Sequence, residues 1–402
     1  MDVHDLVKRV QNGELKLHEL EDHANPETAV KARREIFESR LNVKLSSIGG
    51  SLLDPALAST NIENMIGSVQ VPLGIAGPIT IHGSSIDGDF YLPLATTEGA
   101  LVASVNRGCS AITSSGGATA RIFNNGMTRA PIFKVSGVSE SLDFITWVND
   151  NFSEIEKIAN STTNYGKLLG IKPYVVGNSI FLRFSYDTKD AMGMNMVTIS
   201  TQKASEFIET QTKSKLISIS GNLCADKKPA AINAIEGRGR TIAADVIIPR
   251  KIVENKLHTT PETISEINIQ KNYIGSARAV SLGHNAQAAN IIAAIFLATG
   301  QDAAQVVEGS NAITTAEVVN GDLYMSVTLL SIEVGTIGGG TKLPSQSESL
   351  DIMGVTGSGN PPGSNADALA EIISAGVLAG ELSLLSALGS RDLSSAHERL
   401  GR

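Results

Sequence analysis

The sequence is poor in aromatic residues and in cysteine, and it lacks any excess of positive charge. Aromatic residues make up 4% of the chain, and Trp147 is the only tryptophan, so small aliphatic residues must supply most of the core. Two cysteines, Cys109 and Cys224, are too few for a disulfide framework and favour a cytoplasmic location. The formal net charge of −8 argues against general nucleic-acid binding.

Several functional motifs are also missing. There is no HExxH, paired CxxC or Asp-rich calcium loop, so we predict no metal site. No GxSxG motif is present, which disfavours a serine hydrolase. The N-terminus lacks an apolar signal segment, and the most apolar helical stretch, residues 291–297, is shorter than the roughly 20 residues that span a bilayer. These absences predict a soluble protein without a membrane partner.

Length and pattern predict an α+β protein with several domains. A chain of 402 residues with 42% hydrophobic content is too long for one simple core. Residues 1–48 form a small N-terminal helical region. Residues 131–217 follow a β-α-β-β-α-β order, which is the split βαβ, ferredoxin-like arrangement. This unit is inserted into a large α/β domain made of residues 49–130 and 218–402.

Local patterns within these domains make further predictions. Residues 62–83 suggest short strands joined by tight turns. A helix begins at Thr96 or Thr97, with Glu98 in its first turn. Residues 139–160 and 285–307 each read as one helix, and Gly177-Asn178 predicts a hairpin turn.

The segment 219–240, ISGNLCADKKPAAINAIEGRGR, carries the most suggestive chemistry. Its adjacent Lys227 and Lys228 are either a solvated surface feature or a cation held against a developing negative charge. Asp302, after an apolar helix, needs a partner, and Lys227 is one candidate; a purely structural ion pair is the alternative.

Other residues carry weaker signals. Glu98 is either a functional acid or compensation for the helix dipole. Ser104 and Arg107 share a helix face that suits a phosphate or an amide-bearing ligand. DAMGMNM, residues 190–196, either receives a phosphate at a helix N-terminus or combines a capping Asp190 with core methionines.

Six motifs in order resemble the 3-hydroxy-3-methylglutaryl-coenzyme A (HMG-CoA) reductase family. They are ENMIG, PLATTEGALVAS, DAMGMNM, SGNLCADKKPAAIN, GQDAAQ and IGGGT, and the resemblance runs from about residue 60 to the C-terminus. It is to the class I enzymes, and the lack of a membrane region favours the soluble archaeal-type form. The resemblance implies an oxidoreductase of the mevalonate pathway, in isoprenoid biosynthesis. Such an enzyme reduces HMG-CoA to mevalonate in two NAD(P)H-dependent steps and releases coenzyme A.

The same resemblance assigns catalytic roles to four residues. Lys227 polarises the carbonyl oxygen, and Asp302 holds Lys227 and Glu98 in one hydrogen-bonded network. Glu98 is the general acid/base, and burial beside Asp302 is expected to raise its pKa. His397 protonates the departing thiolate, for which an imidazole is a suitable donor.

The resemblance also implies binding residues. Those for substrate are Ser104, Asn106, Arg107, Arg129, Ser220, Asp226, Lys228, Lys271 and Asn290. Those for the cofactor are Asp190, Met192, Gly193, Met194, Asn195, Gly338 and Gly339. NADPH is expected, with NADH as the alternative, because Asn164 stands where many relatives carry an arginine that meets the 2′-phosphate. Lys167 is a candidate substitute, and Gln287 replaces a histidine of relatives.

The motif ENMIG, Glu63 to Gly67, resembles the dimer contact of the family, which implies a homodimer or a homotetramer built from dimers. Two alternative functions fit the sequence less well than that of a reductase. A catalytically silent acyl-CoA-binding protein is disfavoured because Glu98, Lys227, Asp302 and His397 are all present. Another acyl-CoA enzyme, such as a transferase or thioester hydrolase, leaves the dinucleotide loop at residue 190 without a purpose.

Overall fold

The structure, a computed structural model, describes residues 1–390. Its N-terminal region contains helices α1 (Val3–Gln11) and α2 (Pro26–Leu41), with a 3₁₀ turn at Leu17–Asp22. Pro26 occupies the first position of α2, and the Asn25 side chain accepts the Thr28 N–H, a favourable helix start. Leu6, Leu20 and Ile36 are fully buried between these elements. The predicted helical region is therefore present.

Short helices α3 (Ser46–Gly49) and α4 (Pro55–Ala58) lead into the large domain. Its first elements are β1 (Leu73–His82), β2 (Asp87–Ala95), α5 (Leu101–Ser114) and β3 (Ala118–Arg129). One long strand, irregular near Ala76, replaces the short strands predicted over residues 62–83. Helix α5 begins later than predicted because Ala100 has a left-handed backbone, with φ of 70°. Glu98 consequently lies in a loop and not in the first turn of a helix.

The middle of the chain forms the predicted ferredoxin-like unit. Its elements are β4 (Ile132–Lys134), α6 (Val138–Asp150), α7 (Phe152–Asn160), β5 (Lys167–Val176), β6 (Ser179–Asp187), α8 (Met194–Gln211) and β7 (Lys215–Ser218). The strand order is β5-β6-β4-β7, with antiparallel neighbours. Gly177 takes φ of 60° in the predicted hairpin turn.

The prediction of a single helix over residues 139–160 is wrong. The chain leaves α6 at Asn151, whose side-chain amide donates to the Trp147 carbonyl oxygen at 2.8 Å. Asn competes for backbone groups in this way and so often ends helices.

Strand β3 joins the two sheets. Its first part pairs with β8 (Gly239–Ile248), and its last residues, 127–129, pair with β6. The large sheet continues through β8, β10 (Asp322–Ile332) and β9 (Ala312–Val319) in antiparallel order. The inserted unit is thus anchored to the large domain by a shared strand.

The remaining helices cover the large sheet. They are α9 (Ala231–Glu236), α10 (Arg250–Leu257), α11 (Pro261–Ile267), a π-helix (Asn268–Gly275), α12 (Ser276–Ala279), α13 (Ala288–Thr299), α14 (Val306–Gly309), α15 (Pro344–Ile352) and α16 (Ser364–Ser390), with 3₁₀ turns at Ala303–Gln305 and Gly339–Lys342. The helix predicted over 285–307 breaks at Gly300, which has φ of 69°. An added Cβ on Gly300 would overlap the backbone of Gly340, so this glycine permits a close approach.

Helix α16 is the central core helix. It has 27 residues and is apolar enough to cross a membrane, but 83% of its apolar window is buried inside the protein. A final helix rich in Ala and Leu was predicted over residues 365–388 and is confirmed, but residues 291–297 were wrongly taken as the most apolar helical stretch. Glu371 and Glu381 of α16 are fully buried. Each accepts backbone N–H groups from a neighbouring segment, which satisfies carboxylates that burial would otherwise penalise.

Candidate active site

Lys227 and Asp302 form an ion pair between two distant parts of the chain. The Lys227 Nζ lies 2.7 Å from Asp302 Oδ2, and the side chains are 43% and 28% exposed. The hydrogen bond to Asp302 raises the pKa of Lys227, so the ammonium remains charged at neutral pH. Asp302 is itself held because its Oδ1 accepts the Ala304 N–H at 3.1 Å. The pair presents one partly exposed cation in a defined position.

The backbone of the lysine loop, residues 219–230, is strained. Asn222, Ala225 and Lys227 have left-handed φ values of 62°, 50° and 60°. Each such non-glycine residue costs on the order of 1–2 kcal/mol, so surrounding contacts must hold it. The Lys227 N–H donates to Glu308 Oε1 at 2.8 Å, and Asn233 Nδ2 donates to the Ala225 carbonyl oxygen at 3.2 Å.

Glu98 lies in the loop before α5, and its side chain is exposed. The burial beside Asp302 that was expected for Glu98 is therefore absent. Asn290 Nδ2 on α13 lies 3.3 Å from Glu98 Oε1 and 3.4 Å from Gln287 Oε1. Within residues 1–390, Glu98 hydrogen-bonds Asn290 and not the Lys227–Asp302 pair. His397 lies outside the described residues.

Other predicted substrate residues lie in the lysine loop or in contact with it. Arg129 Nη1 lies 3.9 Å from Asp226 Oδ2, and Lys228 Nζ donates to the Asp226 carbonyl oxygen at 2.9 Å. Ser220 Oγ lies 3.6 Å from the Cys224 Sγ. Lys228 is exposed, whereas Asp226 is mostly enclosed. The structure therefore brings these residues together with Lys227.

Three residues of the predicted substrate set, Ser104, Asn106 and Arg107, bind other parts of the protein. Ser104 Oγ donates to Ser383 Oγ at 2.9 Å, and Arg107 Nη2 donates to the Ser383 carbonyl oxygen at 2.7 Å. Asn106 Oδ1 accepts the Gly77 N–H at 3.0 Å. These bonds tie α5 to α16 and to β1.

Lys271 lies on the π-helix, and its side chain is exposed. Its positive charge acts on the carboxyl of Glu381. That carboxylate also accepts the N–H groups of Ala286 and Gln287 just before α13, the helix that carries Asn290. Lys271 therefore lies on the Asn290 side of the site.

Asp190 is 2% exposed, and its carboxylate is fully engaged within the protein. It accepts backbone N–H groups of four residues around the start of α16, namely Gly359, Gly363, Asn365 and Ala366. The capping role weighed in the sequence analysis is therefore real, but the helix capped is α16 and not α8. Asp190 can serve a cofactor only by holding its own loop in place.

The two predicted cofactor segments lie side by side. Ala191 forms a parallel bridge with Ile337, next to Gly338 and Gly339. Cβ atoms on these two glycines would meet no atom within 4 Å, so their surface is open. Gly193 takes φ of 95° at the start of α8, where a Cβ would overlap Thr188. An 18-residue helix beginning beside an open glycine surface suits a phosphate-bearing ligand.

The other members of this segment differ in their surroundings. Met192 packs against the core of the inserted unit, and Asn195 is exposed in the first turn of α8. Met194 Sδ accepts Arg238 Nη2 at 2.8 Å. Loop 163–166 lies beside them, since Thr163 Oγ1 donates to Met196 Sδ at 3.2 Å. Asn164 in that loop is exposed, and Lys167 Nζ lies 3.8 Å from Glu156 Oε1.

Arg238 and Glu308 were missed by the sequence analysis. Both side chains are 0% exposed and lie 2.7 Å apart, in contact with the lysine loop. Arg238 stands in the quoted segment 219–240, but nothing in the residue order indicated that this arginine is buried. A mixed-charge stretch is usually solvated, which hid the signal.

The loop that follows the ferredoxin-like unit thus carries a cation held by a carboxylate, a pair of groups suited to stabilising negative charge on an oxygen atom. The chain belongs to the hydroxymethylglutaryl-coenzyme A reductase family, whose model matches residues 29–402.

Similar proteins agree over the whole chain. A 3-hydroxy-3-methylglutaryl-coenzyme A reductase of Haloferax volcanii is 61% identical over 401 residues and covers 100% of both chains. One from Pyrococcus horikoshii is 51% identical over 408 residues, covering 100% of this chain and 99% of the relative. One from Dictyostelium discoideum is 45% identical, covering 99% of this chain and 73% of the relative.

Solved structures support the fold. The class II 3-hydroxy-3-methylglutaryl-CoA reductase of Streptococcus pneumoniae, bound to NADPH in open conformations, has a TM-score of 0.67 at 18% identity. The match covers 93% of this chain and 100% of that chain. At this identity the likeness concerns the fold alone.

Proposed function

We propose that this chain reduces HMG-CoA to mevalonate and releases coenzyme A, at the expense of two molecules of NAD(P)H. The observation that carries the proposal is the 2.7 Å contact between Lys227 Nζ and Asp302 Oδ2. Reduction of a thioester and then of an aldehyde places negative charge on a carbonyl oxygen at each stage. A fixed ammonium at that oxygen lowers both barriers.

We propose a separate chemical role for each residue of the site. Lys227 stabilises the developing alkoxide, and Asp302 orients the ammonium. In this proposal Glu98, which is exposed beside Asn290, donates a proton to the aldehyde oxygen. Lys271 pairs with the carboxylate of the substrate, and Arg129 and Lys228 also contact the HMG part. His397 protonates the thiolate of coenzyme A. A nicotinamide cofactor supplies the hydride when it is bound.

The cofactor site that we propose is the open glycine surface at Gly338 and Gly339, together with the start of α8. It fits a dinucleotide because α8 begins there and Cβ atoms on Gly338 and Gly339 would meet no atom within 4 Å. We propose NADPH as the cofactor, with Lys167 as the cation for the 2′-phosphate in place of the arginine that Asn164 replaces. The Lys167 side chain is 64% exposed, and its Nζ also lies 3.8 Å from Glu156 Oε1. It therefore binds the 2′-phosphate only weakly, and NADH is the competing cofactor.

We further propose the archaeal-type class I form of the family, active as a homodimer in the cytoplasm. The identity to archaeal relatives supports the form. Directly after the ENMIG segment, Val69, Leu73 and Ile75 are 84%, 51% and 52% exposed, and such a run of apolar residues suits a subunit contact. Both cysteines are free and buried, which is compatible with a reducing compartment. Sedimentation of the purified chain distinguishes monomer, dimer and tetramer.

The function is tested by the stoichiometry of the reaction. Purified protein is given HMG-CoA with NADPH or NADH, and cofactor oxidation and free thiol are followed together. The expected result is about two cofactor molecules oxidised per thiol released, with mevalonate as product. Thiol release without cofactor oxidation would identify a thioester hydrolase. No reaction with either cofactor would refute the proposal.

A further inference from the structure

Arg238 is the centre of a buried charged cluster in contact with the lysine loop. Its Nη1 donates to Glu308 Oε1 at 2.7 Å and lies 3.4 Å from Glu333 Oε1. Its Nη2 donates to Asp226 Oδ1 at 3.1 Å. The side chains of Arg238, Glu308 and Glu333 are all 0% exposed. These three side chains are therefore shielded from bulk water, whereas Asp226 is 22% exposed at the edge of the cluster.

The charges in this cluster do not balance. Three carboxyl groups, those of Asp226, Glu308 and Glu333, contact the single guanidinium of Arg238. Arg129 Nη1 lies 3.9 Å from Asp226, and the buried Arg183 donates to neutral oxygens of Leu223, Asn233 and Gly237. Lys227 Nζ is engaged by Asp302 instead. An unpaired charge shielded from bulk water is costly enough that the group takes up a proton. One of the three carboxyl groups is thus expected to be neutral.

The hydrogen bonds indicate which carboxyl group holds the proton. Glu308 Oε1 accepts both Arg238 Nη1 and the Lys227 N–H, and such donors favour the charged form. Glu333 has only the long contact to Arg238. Burial raises the pKa of Glu308 to about 7 and that of Glu333 well above its ordinary value. The contacts likewise indicate that Glu333, which has fewer donors than Glu308, keeps its proton more readily. The second oxygen of each glutamate is buried without a partner among the described residues.

We propose that Arg238, Glu308 and Glu333 are positioning residues for the lysine loop, and that Glu333 carries a proton at neutral pH that keeps the cluster neutral. Arg238 holds Asp226, and Glu308 holds the strained backbone of Lys227. When Glu333 is neutral, the guanidinium remains directed at Asp226 and Glu308. Loss of the proton adds a competing anion and draws Arg238 away from the loop.

The charged or titratable groups that face the cluster come from several elements. They are Asp226, Lys227 and Cys224 of the lysine loop, Arg129 at the end of β3, Arg183 of β6, Glu308 of α14 and Glu333 just after β10. Only Glu308 and Glu333 have the raised carboxyl pKa values that this inference needs. The inference rests on the proposed function of Lys227, because it concerns how that ammonium is held in place.

Two isosteric substitutions on opposite sides of the same guanidinium test the inference. Glu333→Gln replaces a neutral acid by a neutral amide, so turnover at neutral pH should stay within about three-fold of wild type. Glu308→Gln removes the charged acceptor of the Lys227 N–H, so kcat should fall about 10- to 100-fold, the effect of a small misplacement of a catalytic group. In wild type kcat should decline at alkaline pH, and Glu333→Gln should remove that decline. Glu371→Gln, at another buried glutamate, is the control and should leave the pH profile unchanged.

Infrared spectroscopy tests the proton without any turnover. Wild type minus Glu333→Gln should show the carbonyl band of a protonated carboxylic acid at neutral pH and still at about pH 8, whereas any such band in wild type minus Glu308→Gln should disappear as the pH rises above 7. Absence of the Glu333 band, or equal loss of kcat in both variants with an unchanged pH profile, overturns the inference. Because the band does not depend on HMG-CoA, failure of the proposed function in wild type is distinguishable from failure of this inference.

Discussion

Asp302→Asn should separate the catalytic value of the Lys227–Asp302 pair from its value for stability. Asparagine keeps an oxygen for the Ala304 N–H and is as good a helix cap as aspartate. It removes the negative charge that lies 2.7 Å from Lys227 Nζ. The pKa of Lys227 should then move back down towards its ordinary value, which still leaves the ammonium charged at neutral pH. The variant therefore retains the cation and loses its orientation.

The two expected magnitudes differ widely. With side chains 43% and 28% exposed, the pair is screened by water and should contribute no more than about 1 kcal/mol to the free energy of unfolding. The loss of one oriented group that stabilises an oxyanion typically costs about 100- to 1,000-fold in kcat, or about 3–4 kcal/mol of transition-state stabilisation. Turnover should consequently fall much further than stability.

The assay compares kcat for HMG-CoA reduction with the free energy of unfolding in urea. Glu27→Gln is the control, because Lys31 Nζ lies 2.7 Å from Glu27 Oε1 on α2, in a pair with the same contact distance but more exposed side chains. It should change stability by a comparable small amount and leave kcat unchanged. The reasoning is refuted if Asp302→Asn keeps kcat within about three-fold, or if its activity falls only in proportion to the unfolded fraction.

Three further predictions address the cofactor, the core and the pH dependence. Asn164→Arg should shift the kcat/KM ratio towards NADPH, and an unchanged ratio would mean that residue 164 does not face the 2′-phosphate. Gly108→Ala should lower the free energy of unfolding by about 1–3 kcal/mol, because the new Cβ overlaps the Ala379 carbonyl oxygen of α16, whereas Gly170→Ala, with open space around it, should have almost no effect. Burial raises the carboxyl pKa of four glutamates, which are Glu308, Glu333, Glu371 and Glu381. The folded state then keeps protons that the unfolded chain releases, so the free energy of unfolding should fall as pH rises from 4.5 to about 7, and a rising curve in urea titrations would contradict this.

The ferredoxin-like unit was predictable because its signals are local. Alternating strands, a Gly-Asn turn and amphipathic helices each occupy a short window, and the order of elements then defines the topology. The helix breaks at Asn151 and Gly300 were harder to see. Asn151 acts through one side-chain hydrogen bond, and Gly300 through contact with the distant Gly340.

The composition of the candidate site was predictable, but part of its geometry was not. Lys227 and Asp302 were expected to pair because a carboxylate at the end of an apolar helix needs a cation, and the structure places them in contact. The burial expected for Glu98 is absent because a left-handed Ala100 delays the start of α5. The engagement of Asp190 depends on backbone groups around residue 363, which only the tertiary fold brings to it.

The central claim is that Lys227 performs the chemistry while its neighbour Lys228 only binds substrate. The most direct test is steady-state reduction of HMG-CoA by Lys227→Met and Lys228→Met, with folding checked by circular dichroism. Lys227→Met should lower kcat by about 100-fold or more, whereas Lys228→Met should mainly raise KM. A folded Lys227→Met variant with kcat close to wild type would show that Lys227 does not stabilise the developing alkoxide.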